Sequence, residues 1–385
     1  MRSNLSFLAV ICCYVLYTAC SKHNSPKLEC YCFICMCALE RVRYDKDTPA
    51  GKQAGTQLAD GYFGVLWAIM GDLDYFSDVL GLRRSNSRNP CCLCRCTAKG
   101  PRTYTEMQED AQWTHEIWTA AEWLAWPGRS TCPIFSLPGV SVLTVALDYM
   151  HSKYLGSDMY MYGSVLFVLV HFVMQCEDPL ENLLIAWDFM KAYYKANDIP
   201  YRFRYMNKLT MFVRKKGFPK LRGTAAEIKC FGTVLLATWD NFMNSNLALH
   251  RQIRLMLKLN VHMENILSDY AHEIALPAGP AESFKRTAFQ MGQVYSMVAE
   301  YFLTEEAYKL FDVTCKLHHV MHCALLAKYL SPRKVWCFTG EDMMGKDQQL
   351  AKSCVRGNSG PSAVMKMADH YSLGLHLKFE ERAKL

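Results

Sequence analysis

Two aspartates directly follow apolar, β-type runs of the sequence, and carboxylates at such positions can bind a divalent metal. Asp72 comes after the run Tyr62–Met70, and Asp148 after the run Gly139–Leu147, with His151 three residues beyond. Open α/β sheets place their chemistry at the carboxyl ends of strands, so two such strands in parallel would bring both carboxylates together. Paired carboxylates bind hard cations such as Mg²⁺, which usually act on phosphate groups.

The cysteines indicate a second kind of metal site. Among the 18 cysteines of the chain, Cys91 and Cys94 have the C-x-x-C spacing that structural zinc prefers. Since a structural zinc takes four ligands, usually as two such pairs, Cys32 and Cys35 are the candidate second pair. The alternative interpretation is that all of these cysteines are reduced residues of a turn and a core strand.

A basic block suits a polyanionic partner. The formal net charge is +7, and between Arg202 and Lys229 nine cations accompany a single acid, Glu227. Such a block favours nucleic acid over a membrane, although a solvated helix-and-loop face is the alternative on charge alone. The candidate DNA-binding side chains are Lys208, Arg214, Lys215, Lys216, Lys220 and Arg222.

Length and composition predict a folded protein of about two domains, since the 385 residues are 51% hydrophobic and 21% charged. The residue pattern predicts an α/β region followed by a long all-helical insertion, and a helix-dominated fold overall. In the α/β region we expect helices from Leu73 to Leu82 and from Glu106 to Ala125. The predicted segments are a cysteine-rich stretch of uncertain role at 1–50, an α/β core at 51–156, helices at 157–330 and a closing segment at 331–385.

The amino-terminal apolar run, Leu5–Ala19, has two interpretations. It resembles the core of a signal peptide, in which case the chain is an exported or membrane-associated helical protein of the secretory pathway. It is short for a transmembrane helix. If it is instead a buried strand or foreign to the fold, the protein is intracellular, which is the interpretation that we favour.

The order of several motifs resembles that of eukaryotic DDE transposases of the CACTA-like and hAT-like branch. The resemblance covers roughly residues 56 to 360 and implies an RNase H-like catalytic core with a helical insertion before its last acid. It also implies a nuclear DNA-binding protein, in a truncated or degenerate copy. The motifs are Gly71-Asp72, Gly81-Leu82, Asn89-Pro90-Cys91-Cys92-Leu93-Cys94, Phe135-Ser136-Leu137-Pro138, Asp148-x-x-His151, Lys316-Leu317-His318-His319 with His322, and Trp336-Cys337-Phe338-Thr339-Gly340-Glu341-Asp342.

The resemblance implies a role for each matching residue. Asp72 would be the second acid of the catalytic triad, and Asp148 with His151 would support or orient the site. Glu341, beyond the tryptophan of the last motif, would be the last acid and would hold metal with Asp72. Glu227, at the start of a predicted helix, is its rival. Within the helix of the Lys316 motif, His318 and His322 share a face and could bind metal.

The first acid of the catalytic triad is the point at which the chain departs from the family pattern, because it should lie on a strand upstream of Asp72. Asp45, Asp47 and Asp60 are the aspartates upstream of Asp72, and none of them ends a convincing strand. Three functions follow: a transposase that cuts and joins DNA with Mg²⁺ or Mn²⁺, a catalytically dead DNA-binding remnant, or the exported helical protein. Under the first two, the expected partners are DNA and a second copy of the chain, the structural ion is Zn²⁺, and no small-molecule cofactor is needed.

Overall fold

The computed structural model describes residues 68–137, 139–338, 349–355 and 360–383. The described residues up to Trp336 form one compact unit, and those from Cys337 form a second. The first unit contains a pair of short strands, β1 (Ile69–Gly71) and β2 (Val145–Leu147), among many helices. In the second, residues 349–355 and Gly360–Ala383 are helical. The prediction of a helix-dominated fold is confirmed.

The two strands pair in parallel, as expected. Ile69 lies opposite Val145, and Gly71 lies opposite Leu147. Strand β2 is shorter than the predicted run from Gly139, because residues Val142–Thr144 form a 3-10 turn instead. The Ser141 hydroxyl accepts a hydrogen bond from the N–H of Leu143 at 3.2 Å. This local bond competes with extended pairing. The predicted beginning of the first strand, 62–67, lies outside the described residues.

Both predicted helices of the α/β region are shorter than expected. Helix α1 covers Leu73–Asp78 and does not reach Leu82. It is followed by Gly81, whose φ of +63° is a left-handed conformation that stops a helix.

The second predicted helix, over 106–125, divides into a 3-10 turn, Gln112–Glu116, and helix α2, Ala120–Ala125. Between them, Trp118 donates its backbone N–H to the Leu93 carbonyl at 3.0 Å, in extended conformation. Thr119 and Glu122 then form a capping box at the beginning of α2.

A long buried helix, α3 (Met150–Val173), runs on from β2. Its middle part, Met159–Val168, is α-helical, and both ends are π-helical. The first part is kinked at Gly156, whose φ of −122° and ψ of −106° are not helical. Among the described residues it is the one helix long and apolar enough to cross a membrane by length and composition, but 67% of its apolar window is buried inside the protein. A core helix of a soluble protein passes the same test. The amino-terminal apolar run lies outside the described residues.

Five further helices of the first unit complete its core. Helix α6 packs along α7, and α8 packs against the first part of α3 and against β2. Ile253, Met256 and Leu257 of α6 are fully buried, which fits the helical spacing of its apolar residues. The five helices are α4 (Pro179–Ala196), α5 (Ala225–Phe242), α6 (Ala248–Asp269), α7 (Ala278–Thr304) and α8 (Cys315–Leu326).

Gly163 lies where α3 touches the backbone of the basic block. A Cβ at this position would lie 2.8 Å from the Lys220 nitrogen and 2.7 Å from the Leu221 nitrogen. We therefore expect Gly163→Ala to lower the free energy of unfolding by about 1–3 kcal/mol, the usual cost of overpacking, measured by urea denaturation. Gly279→Ala is the matched control, because its Cβ would meet no atom within 4 Å. Equal stabilities of the two variants would contradict the prediction.

Candidate functional site

Three cysteines and a histidine form a buried cluster that could hold a metal ion such as zinc. The Sγ atoms of Cys91, Cys94 and Cys96 and a ring nitrogen of His318 all lie within 4.8 Å of one another. The Cys94 sulfur and His318 Nε2 are 3.3 Å apart. Tetrahedral zinc sites, with Zn–S about 2.3 Å and Zn–N about 2.0 Å, separate neighbouring donors by roughly 3.5–3.8 Å. The four donors therefore have the number and type that structural zinc takes, and they lie close enough together to hold such an ion.

The cysteines lie on a turn, which we call the knuckle, and the histidine comes from α8. Within the knuckle, the Leu93 N–H donates to the Cys91 sulfur at 3.4 Å, and the Asn89 side chain donates to the Cys96 carbonyl at 3.3 Å. From α8, the Cys315 thiol donates to the Pro90 carbonyl at 3.6 Å. These hydrogen bonds attach the turn to the helix, and they set three sulfurs around one imidazole.

The His318 ring is oriented mainly by packing. Its ring centroid lies 4.3 Å from that of Trp113 in an edge-on arrangement, and its Nδ1 has no hydrogen-bond partner within the described part of the chain. His322, one turn further along α8, has its Nε2 3.1 Å from that of His318. The predicted sharing of one helix face is thus confirmed. His322 lies beside the cluster as a further nitrogen donor.

The electrostatics of the cluster also favour a cation. Burial opposes ionisation of Cys91, but hydrogen bonds from Cys94 and Cys96 outweigh it and hold the pKa of Cys91 well below its usual value. Burial raises the pKa of Cys94, and the hydrogen bond with Cys91 raises that of Cys96. Burial lowers the pKa of His318 to about 4, so its ring is neutral at pH 7. A neutral imidazole can bind a metal through its lone pair, and a divalent ion would stabilise the three cysteines as thiolates.

The sequence identified only half of these donors. Cys91 and Cys94 belong to the cluster, as the knuckle spacing predicted. Cys32 and Cys35, the expected second pair, lie outside the described residues. The structure supplies Cys96 and His318 as the other two donors. The C-x-x-C-x-C spacing was the available signal for Cys96, whereas His318 comes from a motif 224 residues beyond Cys94.

The two predicted carboxylates follow neighbouring strands at one edge of the sheet. Because Gly71 pairs with Leu147, Asp72 and Asp148 are the next residues of the two strands. Asp72 caps helix α1 by accepting the Tyr75 N–H at 2.6 Å. Asp148 is only 3% exposed, accepts the Met150 N–H at 2.9 Å and is hydrogen-bonded to His151 Nδ1. The Asp-x-x-His motif therefore forms a direct side-chain pair.

Lys316 brings a positive charge to this edge of the sheet. Burial lowers the pKa of Lys316, and the nearby carboxylates of Asp148, Asp74 and Asp72 oppose that effect. Its ammonium donates to the Leu155 carbonyl at 3.3 Å. Lys316 belongs to one of the sequence motifs, but its position beside the aspartates was not predicted.

Glu227, the rival candidate for the last acid, is not brought to this edge by any interaction among the described residues. Glu227 accepts the backbone N–H and the hydroxyl of Thr224 at 2.8 and 2.9 Å, as the capping box of α5. These bonds are the ordinary role of a glutamate at this helix position. Glu341 lies outside the described residues, as do Asp45, Asp47 and Asp60, so the convergence of Asp72 with a late glutamate stays a prediction.

The basic block forms a solvent-exposed loop between α4 and α5. Its backbone folds back on itself, with the Lys220 N–H donating to Phe212 and the Arg222 N–H donating to Met211, each at 2.8 Å. Lys220 is half-buried with its ammonium 4.8 Å from the Tyr160 ring centroid. The other five candidate side chains are exposed and pair with no carboxylate among the described residues; they are Lys208, Arg214, Lys215, Lys216 and Arg222.

No protein-family model matches the chain, and no curated protein and no solved structure is significantly similar to it. The fold and the sites by themselves define a helix-dominated protein with a buried Cys₃His cluster, which could hold a metal, and an aspartate pair that follows two parallel strands. The function must therefore be inferred from these residues.

Proposed function

We propose that the chain is a transposase-derived, nuclear DNA-binding protein, whose ancestral chemistry is metal-dependent cleavage and strand transfer on an RNase H-like core. The observation that carries the proposal is the in-register parallel pairing of β1 with β2, with an aspartate directly after each strand. The hydrogen-bonded Asp148 and His151 pair supports the same interpretation, because it joins the two residues of the motif on which the resemblance depends.

For the ancestral reaction, the chain's own residues have distinct roles. The carboxylates of Asp72 and Glu341 would hold Mg²⁺ or Mn²⁺, which when bound activates an attacking oxygen and stabilises the leaving one. His151 orients the Asp148 carboxylate through their hydrogen bond. The ammonium of Lys316 offsets negative charge at this edge and competes with a cation for it.

A DNA-binding remnant without catalysis is the second candidate function. Two observations favour it: the Asp72 carboxylate already caps α1, and Lys316 already supplies a cation nearby. In such a protein the zinc-type cluster stabilises the fold, and the exposed cations of the basic block bind phosphates. Phosphate binding of this kind needs only charge and survives loss of the catalytic centre.

DNA cleavage by the full chain distinguishes the two functions. We expect a catalytic protein to cut labelled duplex oligonucleotides in the presence of Mg²⁺ or Mn²⁺, and Asp72→Asn to reduce the cutting to background. Asparagine keeps the helix cap but loses the charge that a metal needs. Asp78→Asn, which removes an exposed carboxylate paired with Arg84, is the matched control and should cut normally.

Duplex binding tests the part that both candidates share. With Lys215→Gln and Lys216→Gln together, the slope of log affinity against log salt should fall by about 1.8, or about 0.9 for each phosphate that the variant no longer neutralises. Binding without cleavage identifies the remnant. If the wild-type chain does not bind duplex DNA at low salt, the proposed function is wrong.

A further inference from the structure

A second basic segment surrounds the metal cluster. From Val79 to Thr105 the sequence has six cations and no acid, and the knuckle lies in the middle of this stretch. Each of the cations is exposed or half-buried, since the cysteines occupy the interior of the turn. The six cations are Arg83, Arg84, Arg88, Arg95, Lys99 and Arg102.

Two arginines of this segment lie over two tryptophans beside an open pocket. The Arg95 guanidinium is 4.2 Å from the Trp118 ring centroid, and that of Arg83 is 4.4 Å from Trp126. The two indole rings stack with centroids 5.5 Å apart and an angle of 27°. Together with Arg102 and one carboxylate, Glu122, these side chains line a pocket of about 500 Å³, which we call the Arg–Trp pocket.

The positive charge of the segment is only partly neutralised. Asp78, Glu116 and Glu122 each pair with one of the six cations, which leaves three. Arg95 and Arg102 are each 38% exposed, and their partners Glu122 and Glu116 are 46% and 21% exposed. Solvent screening makes such pairs weak, so a stronger anion can displace the carboxylate.

Arg83 has a different environment from the other pocket arginines. No carboxylate among the described residues forms an ion pair with it. Burial lowers the pKa of Arg83, and the neighbouring cysteines of the knuckle oppose that effect. Even when a zinc ion with three thiolates contributes a net charge of −1, the segment remains positive. The pocket therefore combines three arginines, of which Arg95 and Arg102 pair with one carboxylate each, with stacked aromatic rings.

We propose that the Arg–Trp pocket binds an unpaired nucleotide of a single-stranded nucleic acid. Guanidinium groups would bind the phosphate, and the half-buried Trp126 ring and the guanidinium planes would stack with the base, as single-strand binding proteins do. Trp118 is only 7% exposed and would support the Trp126 ring. A duplex has phosphates, but its base planes are covered by stacking. An acidic peptide has carboxylates, but no planar group that would stack on the rings. The inference rests on the proposed function, because that function makes DNA the partner. The Arg–Trp pocket would be a second DNA-binding site, separate from the basic block.

Fluorescence anisotropy of the full chain with a labelled oligothymidine tests the proposal. We expect Arg95→Gln and Trp126→Leu each to weaken single-strand binding about tenfold, since the first removes a phosphate-binding cation and the second a stacking ring. Duplex affinity should stay unchanged. Arg254→Gln is the matched control, because it also removes one arginine from an ion pair, with side chains 39% and 35% exposed. Metal content and thermal midpoint show that each variant is folded.

Each outcome supports or overturns the proposal. If the wild type binds single strands and both pocket variants bind them equally well, the pocket proposal is wrong while the proposed function stands. If the wild type binds single strands through the pocket but does not bind duplex DNA, the proposed function is wrong while the pocket proposal stands. Binding of neither nucleic acid rejects both. Displacement of the oligonucleotide by polyglutamate at a lower concentration than by unlabelled DNA would show that the pocket prefers an acidic peptide.

Discussion

Cys94→Ser should abolish stoichiometric metal binding and greatly reduce the stability of the first unit. A serine hydroxyl is a poor zinc ligand, and a structural zinc contributes its binding free energy directly to folding. In small zinc domains that contribution is on the order of 10 kcal/mol. Metal per chain can be measured by plasma mass spectrometry and stability by thermal unfolding, and a strong chelator should lower the wild-type midpoint in the same way.

Cys92→Ser is the matched control for the loss of metal and stability in Cys94→Ser. Cys92 lies between the ligands and is buried in the same turn, yet its sulfur is not one of the cluster donors. We expect this variant to keep one metal ion per chain and most of its stability. A Cys94→Ser protein with undiminished metal content would refute the assignment, and so would a Cys92→Ser protein without metal.

Lys153→Met should destabilise the chain by about 3–5 kcal/mol, the usual result of removing one partner of a buried ion pair. The Lys153 side chain is fully buried, 2.7 Å from the Asp158 carboxylate and 3.1 Å from that of Glu264. Burial raises the pKa of Asp158 to about 6 even with this lysine beside it. Without the lysine, Asp158 would have to be buried as an unpaired carboxylate or take up a proton. Urea denaturation measures the loss.

Two further variants separate the charge effect from simple truncation. Lys285→Met removes a partly exposed lysine that pairs with the exposed carboxylates of Glu109 and Glu282, and it should cost less than about 1 kcal/mol. The double variant Lys153→Met/Asp158→Leu should recover part of the stability, because the unpaired carboxylate is gone. If Lys153→Met proves no more harmful than Lys285→Met, the buried pair does not have the predicted importance.

The strand-end carboxylates were predictable because their determinants are local. An apolar β-type run followed by aspartate occurs in both segments, and parallel pairing then places the two residues at the same edge. The length of the second strand was not predictable from apolar pattern alone. Ser141 and Thr144 form side-chain hydrogen bonds with the backbone of their own turn, and those bonds shorten the strand.

The missing parts of both sites come from distant segments. His318 completes the cluster and Lys316 supplies charge at the strand ends, yet both lie on α8, more than 160 residues beyond the positions with which they interact. Spacing within a motif carries no information about interactions of that range. The π-helical beginning of α3 was also unforeseen, because the residue pattern predicts the all-helical segment only from residue 157 onward.

The metal cluster also has a consequence for how the chain is made. Its cysteine donors and its histidine are separated by 224 residues, counted from Cys94 to His318. Closing so long a loop costs conformational entropy before any favourable interaction offsets it. During synthesis from the amino terminus, three thiols would emerge well before their nitrogen partner. A nascent chain that ends before α8 would lack the histidine of the Cys₃His cluster, so we expect the knuckle to reach its final structure only after α8 is made.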